Sequence, residues 1–197
     1  MELKTIKVGP IKTNCYIINK NNKTLVIDPG EDAEKILKIS GKIDYVLLTH
    51  GHFDHIGGLK KIKENNSSII IYLQQEALDE YRDANFFAGY IGQGIDNPPT
   101  PDFIYHDLPD IIEGLEAIKT PGHTKGSVCF LLDGYLFSGD TLFKGTYGRV
   151  DLPYSNSEDM LKSLKKLSKL DDETKVMPGH GDDTVLKKEK PWIKDLF

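Results

Sequence analysis

The stretch that decides the fold is Thr49-His50-Gly51-His52-Phe53-Asp54-His55, which directly follows the apolar run Tyr45 to Leu48. It places three imidazoles and a carboxylate within six residues, after a predicted buried strand. In an extended loop, residues two positions apart point to the same side, so His50 and His52 can bind one ion. The carboxylate and the third imidazole can then turn toward a neighbouring ion. Because such a cluster is improbable by chance, the stretch predicts a metal site at the end of a strand.

Three further candidate ligands follow later predicted strands, and each is preceded by glycine. They are His123, Asp140 and His180. Folds present catalytic groups on the loops at strand ends, so these positions suit a shared site. Five of the six histidines thus belong to one pattern. The sixth, His106, is predicted to lie on a solvent-facing loop.

Short apolar and β-branched runs predict a mixed α/β fold whose elements recur in two halves. Strands are predicted at Leu3 to Val8, Asn14 to Ile18, Thr24 to Ile27, Tyr45 to Leu48, Ile69 to Tyr72, Glu116 to Thr120, Ser127 to Leu132, Tyr135 to Ser138 and Lys175 to Met177. Helices are predicted at Ala33 to Ile39, Gly58 to Glu64 and Ser157 to Leu167.

A strand that leads to a histidine occurs in both halves of the chain, before His50 and before His180, which hints at an internal duplication. Strands and helices in this order favour two sheets packed face to face with helices outside. The sequence therefore predicts one domain over residues 1–197, a four-layer αββα sandwich of the α/β (α+β) class.

An irregular segment, Asp83 to Pro109, separates the two halves. It carries Phe86, Phe87 and Tyr90 where polar loop residues would be expected. Long loops in compact domains are usually functional, so we interpret the segment as a lid or wall of the pocket. The alternative is a surface excursion that only covers the edge of a sheet.

Composition limits the classes of function. The formal net charge of −5, from 25 Lys+Arg against 30 Asp+Glu, disfavours nucleic acid as a partner. The apolar runs are too short to cross a bilayer, and the N-terminus lacks the apolar stretch of a signal peptide. The sequence therefore predicts a cytoplasmic protein without a membrane partner. Cys15 and Cys129 lie in apolar strand-like stretches and are predicted to be core residues rather than a disulfide.

These residues together resemble the metallo-β-lactamase superfamily, and the resemblance covers essentially the whole chain. It implies that one ion is bound by His50, His52 and His123, and the other by Asp54, His55 and His180, with Asp140 bridging. It also implies a supporting role for Asp28, in Val26-Ile-Asp-Pro-Gly, bracing the metal loop. A buried carboxylate that holds a ligating histidine in one tautomer is the support expected of such a site.

Within the superfamily the chain is most similar to small glyoxalase II-like hydrolases, through the stretches Thr120 to Ser127 and Gly139 to Pro153. This resemblance implies thioester hydrolysis by a hydroxide that bridges two divalent ions, with Asp54 and Asp140 as the catalytic carboxylates. Imidazole with some carboxylate suits zinc, and also iron or manganese. Typical glyoxalase II has a helical C-terminal domain that helps to bind glutathione, whereas this chain ends 17 residues after His180. The resemblance therefore predicts a small-molecule thioester but does not identify its thiol.

Cationic and phenolic side chains just beyond the bridging aspartate could bind a carboxylate on the thiol part of a substrate. We predict this role for Arg149, and for Lys144 and Tyr147. The alternative for Arg149 is a structural ion pair with Asp151, since surface arginines commonly pair without functional consequence.

Other functions use the same kind of ligand set. A persulfide dioxygenase would bind a single iron, and the stretch Gly148 to Asp151 resembles one found in those enzymes. An RNA-processing nuclease is disfavoured by the acidic charge balance. A non-catalytic metal-binding protein is disfavoured because a complete ligand set with an open bridging position exceeds what structure or storage requires. The sequence leaves the acyl group, the native metal and the oligomeric state open.

Overall fold

The computed structural model describes residues 1–90 and 92–197, with the side chain of Tyr90 also outside the description. The chain divides into two compact units, Met1–His106 and Asp107–Phe197.

The first unit is a six-stranded sheet with helices along the chain between its later strands. Its strands are β1 (Glu2–Val8), β2 (Thr13–Lys20), β3 (Lys23–Ile27), β4 (Tyr45–Leu47), β5 (Ile70–Gln74) and β6 (Phe103–Tyr105). Its helices are α1 (Ala33–Ser40), α2 (Phe53–Ile56), α3 (Leu59–Asn65), α4 (Leu78–Arg82) and α5 (Ala84–Tyr90), with a 3-10 turn at Gln75–Ala77.

Strand order in this sheet follows the sequence. The first three strands are antiparallel, and β3 to β6 run parallel. Helices α1 and α3 bury Ile36, Leu59 and Ile62 in a core that includes Val26 and Val46 of the sheet. Since parallel strands end at the same edge, the residues after β3 and β4 come close together there.

The second unit contains a five-stranded sheet and a small two-stranded hairpin. Its elements are β7 (Glu116–Lys119), β8 (Val128–Leu132), β9 (Tyr135–Gly139), β10 (Leu142–Phe143), β11 (Thr146–Tyr147), α6 (Ser157–Leu167), β12 (Lys175–Pro178), β13 (Thr184–Val185) and α7 (Leu186–Lys194). The sheet order is β13-β12-β9-β8-β7. Helix α6 begins at Asn156, whose side chain accepts a hydrogen bond from the backbone N–H of Asp159 at 3.0 Å.

The two sheets repeat one pattern of strands. In each, three consecutive antiparallel strands are followed by a parallel neighbour of the third, which is β4 beside β3 and β12 beside β9. Asp28 directly follows β3, and Asp140 directly follows β9. His50 follows β4, and His180 follows β12. The repeated topology therefore places a carboxylate and an imidazole at equivalent strand ends, which supports the predicted duplication.

The prediction that the segment Asp83 to Pro109 is irregular is wrong in part, because it contains α5 and β6. The run Phe103-Ile-Tyr has the β-branched and aromatic composition of a strand and pairs with the end of β5. The twelve predicted strands and helices are all present, within two residues at each end. Cys15 and Cys129 are buried and unbridged, as predicted. None of the helices in the described part of the chain is long and apolar enough to cross a membrane.

Candidate metal centre

The metal loop, residues 49–55, is held by its backbone against helix α4. The N–H of Gly51 donates a 2.7 Å hydrogen bond to Oε1 of Glu80, a carboxylate that is only 1% exposed. A Cβ atom at Gly51 would lie 2.6 Å from the backbone nitrogen of Tyr81. Only glycine fits this position, because any side chain would push the loop away from α4.

The metal loop also approaches the backbone that follows β3. A Cβ atom at Gly30 would lie 2.2 Å from the carbonyl oxygen of Asp54, and one at Gly58 would lie 2.3 Å from the carbonyl oxygen of Gly30. Glycine at position 58 therefore allows the backbone at the start of α3 to lie against the backbone at Gly30. These contacts fix the start of α3 beside the metal loop.

Asp28 connects the imidazoles of the metal loop through hydrogen bonds. Its Oδ1 accepts from the N–H of Thr49 at 2.8 Å, and its Oδ2 accepts from the Thr49 hydroxyl at 2.6 Å. The same Oδ2 lies 2.9 Å from Nδ1 of His55. Nδ1 of His50 lies 3.0 Å from the Thr49 hydroxyl oxygen, whose own hydrogen is donated to Asp28. Both imidazoles thus donate through Nδ1, and their Nε2 atoms are the ones available as metal ligands.

The first ligand group consists of His50, His52, Asp54 and His55, and all four side chains are buried. The ring centroid of His50 lies 4.7 Å from that of His52 and 4.2 Å from that of His55. Nε2 of His55 lies 3.2 Å from Oδ2 of Asp54, and that oxygen accepts a 2.7 Å hydrogen bond from Thr13. Buried imidazoles this close, with carboxylate oxygens among them, form the nitrogen and oxygen donor set that divalent metals require.

Donor atoms of Asp28, His50 and His55 also lie within 4.8 Å of one another, which by distance alone could describe a metal site. We assign Asp28 to support rather than to ligation, because both of its oxygens already accept hydrogen bonds from Thr49. Support of the metal loop is also the role that the resemblance to the superfamily implies for Asp28, and it stays a prediction.

The second ligand group consists of His123, Asp140 and His180, all in the second unit. Oδ2 of Asp140 lies 3.6 Å from Nε2 of His123 and 3.6 Å from Nε2 of His180. These separations are too long for hydrogen bonds. Two ligands that each lie about 2.1 Å from one ion are separated by about 3–3.5 Å. Each of the two distances therefore suits a pair in which the carboxylate oxygen and the imidazole nitrogen bind the same ion.

Backbone contacts also fix His123 and Asp140 of the second ligand group. Nδ1 of His123 lies 2.9 Å from the carbonyl oxygen of Arg149, so this ring also directs Nε2 toward the carboxylate. A Cβ atom at Gly148 would lie 1.8 Å from the carbonyl oxygen of Asp140. Glycine is therefore required at position 148, because a side chain there would collide with the backbone of Asp140.

The three predicted substrate-binding residues each have a partner in the second unit. Arg149 is exposed and makes two hydrogen bonds to the carboxylate of Asp151, at 2.8 and 2.9 Å, which lower the pKa of Asp151. Nζ of Lys144 lies 3.5 Å from Oδ2 of Asp182. The ring of Tyr147 stacks on Trp192 with centroids 6.3 Å apart.

His106 is exposed and lies 3.6 Å from a carboxylate oxygen of Glu76, consistent with its exclusion from the metal pattern. The sequence analysis missed Glu80 and Thr13, which hold the metal loop and Asp54. The signal for Glu80 is weak and consists of two neighbouring core residues, Ala77 at the end of the 3-10 turn and Tyr81 in α4. A lone hydroxyl at the start of β2 offers no comparable signal for Thr13.

We expect Asp28→Asn to weaken metal binding by about 10–100-fold without unfolding the protein. Asparagine keeps the shape and tolerates the left-handed backbone at this position, where φ is 50°. However, its amide nitrogen cannot accept the hydrogen bonds from Thr49 or His55. Calorimetric titration of the metal-free protein with Zn²⁺ measures the effect. Asp32→Asn is the matched control, because Asp32 has a similar φ of 60°. Equal affinities in the two variants would contradict the assigned role.

Comparison with known proteins agrees with this geometry. The sequence pattern of the metallo-beta-lactamase superfamily matches residues 8–180. The chain belongs to this superfamily. It is 31% identical over 169 residues to a hydroxyacylglutathione hydrolase of Klebsiella pneumoniae. The aligned region covers 84% of this chain and 60% of that enzyme.

Two solved structures resemble the chain over nearly its full length. A crystal structure of TTHA1623 in a di-iron-bound form has a TM-score of 0.87 and 34% identity, covering 94% of this chain and 96% of that one. The crystal structure of BLEG-1, a B3 metallo-beta-lactamase, also has a TM-score of 0.87, with 31% identity and 98% and 99% coverage. The predicted fold is confirmed, and the protein is a metal-dependent hydrolase of this superfamily. The single-domain organisation of residues 1–197 stays a prediction.

Proposed function

We propose that the protein hydrolyses small-molecule acyl thioesters with two divalent ions. The ions would be held by the two ligand groups. The first group is His50, His52, Asp54 and His55, and the second is His123, Asp140 and His180. The observation that carries the proposal is the locking of Nδ1 in His50, His55 and His123, each by a hydrogen bond of 2.9–3.0 Å. Imidazoles fixed in this way are oriented as metal ligands rather than as proton carriers.

When bound in such a site, two divalent ions would supply a hydroxide nucleophile at neutral pH and would polarise the carbonyl of a substrate. The residues of the chain orient the ligands for that chemistry. Asp28 and Thr49 keep two imidazoles in one tautomer, and Asp140 would contribute a carboxylate ligand beside His123 and His180. Because the motif histidines serve as ligands, none is left to protonate a leaving group. A thiol can leave as thiolate without that proton, so thioesters are the substrates that fit the site.

Similarity to the hydroxyacylglutathione hydrolase adds support for a thioester, although the chain spans only 60% of that enzyme. We propose zinc as the native metal, with iron or manganese as alternatives that the same nitrogen and oxygen ligands accept. The di-iron form of TTHA1623 makes iron the first alternative to test. We further propose a cytoplasmic enzyme that acts without a nucleic-acid or membrane partner.

For the thiol part of the substrate we propose binding by Arg149, Lys144 and Tyr147. Arg149 and Lys144 are largely exposed, so a substrate carboxylate can replace Asp151 or Asp182 as their partner at little cost. The Tyr147 ring is held by its stacking on Trp192 and offers a fixed surface.

Metal analysis of anaerobically purified protein, together with assays on an acyl-thioester panel and on glutathione persulfide, tests the proposal. Two ions per chain and thioester turnover are the expected results. A single iron with oxygen-dependent turnover of the persulfide would replace the proposal by the dioxygenase function. Two ions without any thioester turnover would also contradict it.

The similarity to BLEG-1 favours one further candidate, β-lactam hydrolysis. A β-lactam is an amide, and its nitrogen needs a proton in order to leave. The same assays therefore include a β-lactam, and turnover at the rate of the best thioester would favour this candidate.

We expect part of the segment Asp83 to Pro109 to form an apolar wall beside the metal centre. The ring centroid of Phe87 lies 6.1 Å from that of His52, and Phe87 packs on the core of the first unit. Phe86, with its ring centroid 5.5 Å from that of Phe87, is 63% exposed. The third aromatic residue of the prediction, Tyr90, has its side chain outside the described residues.

The prediction is that Phe87→Ala lowers kcat/KM about tenfold for long acyl chains and less for an acetyl group, because it removes apolar surface beside the carbonyl. The metal content should stay that of the unmodified protein. Phe103→Ala is a matched control, since Phe103 is an exposed phenylalanine of β6. A uniform decrease across all chain lengths would contradict a role in acyl binding.

A further inference from the structure

A buried carboxylate on the C-terminal helix α7 is bound on both of its oxygens. Glu189 is only 3% exposed. Its Oε1 accepts a 2.6 Å hydrogen bond from the hydroxyl of Thr184. Its Oε2 accepts two more, from the backbone N–H of Gly145 at 2.7 Å and from Nε1 of Trp192 at 2.6 Å. Three short hydrogen bonds to one buried carboxylate form a strong attachment, because each is assisted by its charge.

Glu189 attaches the β10–β11 hairpin, residues 142–147, to α7. Gly145 lies in the turn of this hairpin and has a φ of 75°, a conformation that glycine adopts without strain. The ring of Tyr147 on the same hairpin stacks on Trp192 of α7. The hairpin has only two residues in each strand, so these contacts with α7 hold it in position.

The hairpin in turn contacts the loop that carries His180. The ring centroids of Phe143 and His180 lie 6.2 Å apart, in an edge-to-face arrangement. Lys144 forms an ion pair with Asp182, two residues beyond His180. The side chain of His180 is 27% exposed, compared with 4% for His123 and 12% for Asp140. His180 is therefore the least enclosed member of the second ligand group and depends most on its neighbours for orientation.

We propose that Glu189 is a positioning residue for His180. By fixing the hairpin, it sets the Phe143 ring that holds the His180 imidazole beside Asp140, and so controls the affinity of the ion that His180 binds. This inference rests on the proposed dinuclear function. The carboxylate matters through its charge and its two acceptor oxygens, whereas glutamine has one oxygen and no charge. With the amide oxygen facing the N–H groups of Gly145 and Trp192, the amide nitrogen can only donate to the Thr184 hydroxyl, and the hydrogen bonds lose the strength that the charge gives them.

Titration of the metal-free full-length protein with Co²⁺, followed by calorimetry and by visible absorption, tests the inference. The unmodified protein is expected to bind two equivalents. Glu189→Gln is expected to bind the first equivalent normally and the second about 10–100-fold more weakly. Phe143→Ala is expected to give the same selective loss, since it removes the ring beside His180 but leaves the Glu189 hydrogen bonds. Glu173→Gln is the matched control, because Glu173 is an exposed carboxylate that pairs with Lys187.

Two results would overturn the inference. One is a Glu189→Gln variant that binds both equivalents with unchanged affinity. The other is a variant that loses both equivalents together with its far-UV circular dichroism, while Phe143→Ala binds normally, because Glu189 would then act only on folding. Binding of a single equivalent by the unmodified protein would count against the proposed function instead. In that case weaker binding of the single ion in Glu189→Gln would support the inference, and an unchanged affinity would overturn it.

Discussion

Asp140→Ala is expected to abolish tight binding of both ions and to lower kcat/KM for the best thioester by about a thousandfold, or about 4 kcal/mol of transition-state stabilisation. Oδ2 of Asp140 is the atom that lies 3.6 Å from Nε2 of both His123 and His180. Its removal would take away the oxygen that we propose the two ions share, and it leaves both imidazoles without a carboxylate beside them. Loss of metal and loss of activity should therefore occur together.

Metal analysis after gel filtration, with steady-state kinetics on the same samples, measures both effects. His106→Ala is the control, because it replaces an exposed histidine that pairs with Glu76 rather than with the ligand groups. This variant should keep the metal content and the activity of the unmodified protein. Asp140→Ala with full activity would show that the site is assigned wrongly, whereas loss of activity with both ions retained would show that Asp140 acts in a step other than metal binding.

Most of the regular structure was predictable because the physical signal is local. Short apolar and β-branched runs marked β1 to β3, and a helical apolar repeat marked α6. The metal loop was predictable because its residue types and spacing are both restrictive. Glycine before each of His123, Asp140 and His180 added a second local signal of tight backbone near a ligand.

The remaining features depend on contacts between distant parts of the chain. Glu80 holds Gly51 across 29 positions. Glu189 reaches Gly145 across 44 positions. Neither Glu80 nor Glu189 stands in a motif, and a glutamate on a short helix is usually a solvated residue. Helices α2 and α4 were not predicted because four or five residues are too few to show a helical period.

The order of leaving groups is the second large effect that we expect. For matched acyl groups, turnover should fall from thioester to oxygen ester to amide, with the amide slower by about 10²–10⁴-fold. That factor is what a general acid typically contributes. His50, His55 and His123 have Nδ1 committed to hydrogen bonds, and His106 is exposed. A thiol with a pKa of about 8.5 can leave as thiolate, whereas an amine must be protonated before it leaves.

Steady-state kinetics on a matched series of thioester, oxygen ester and amide, with a β-lactam added, measures the order directly. We expect negligible β-lactam turnover despite the similarity to BLEG-1, because ring strain eases attack on the carbonyl but does not supply the proton that the nitrogen needs. Amide turnover comparable to that of the thioester would mean that another side chain donates this proton. Tyr147 is the first residue to test, since its phenol is a proton donor on the hairpin that also carries Phe143. A Tyr147→Phe variant that loses amide turnover but keeps thioester turnover would identify it as that donor, because only the amine leaving group requires the proton.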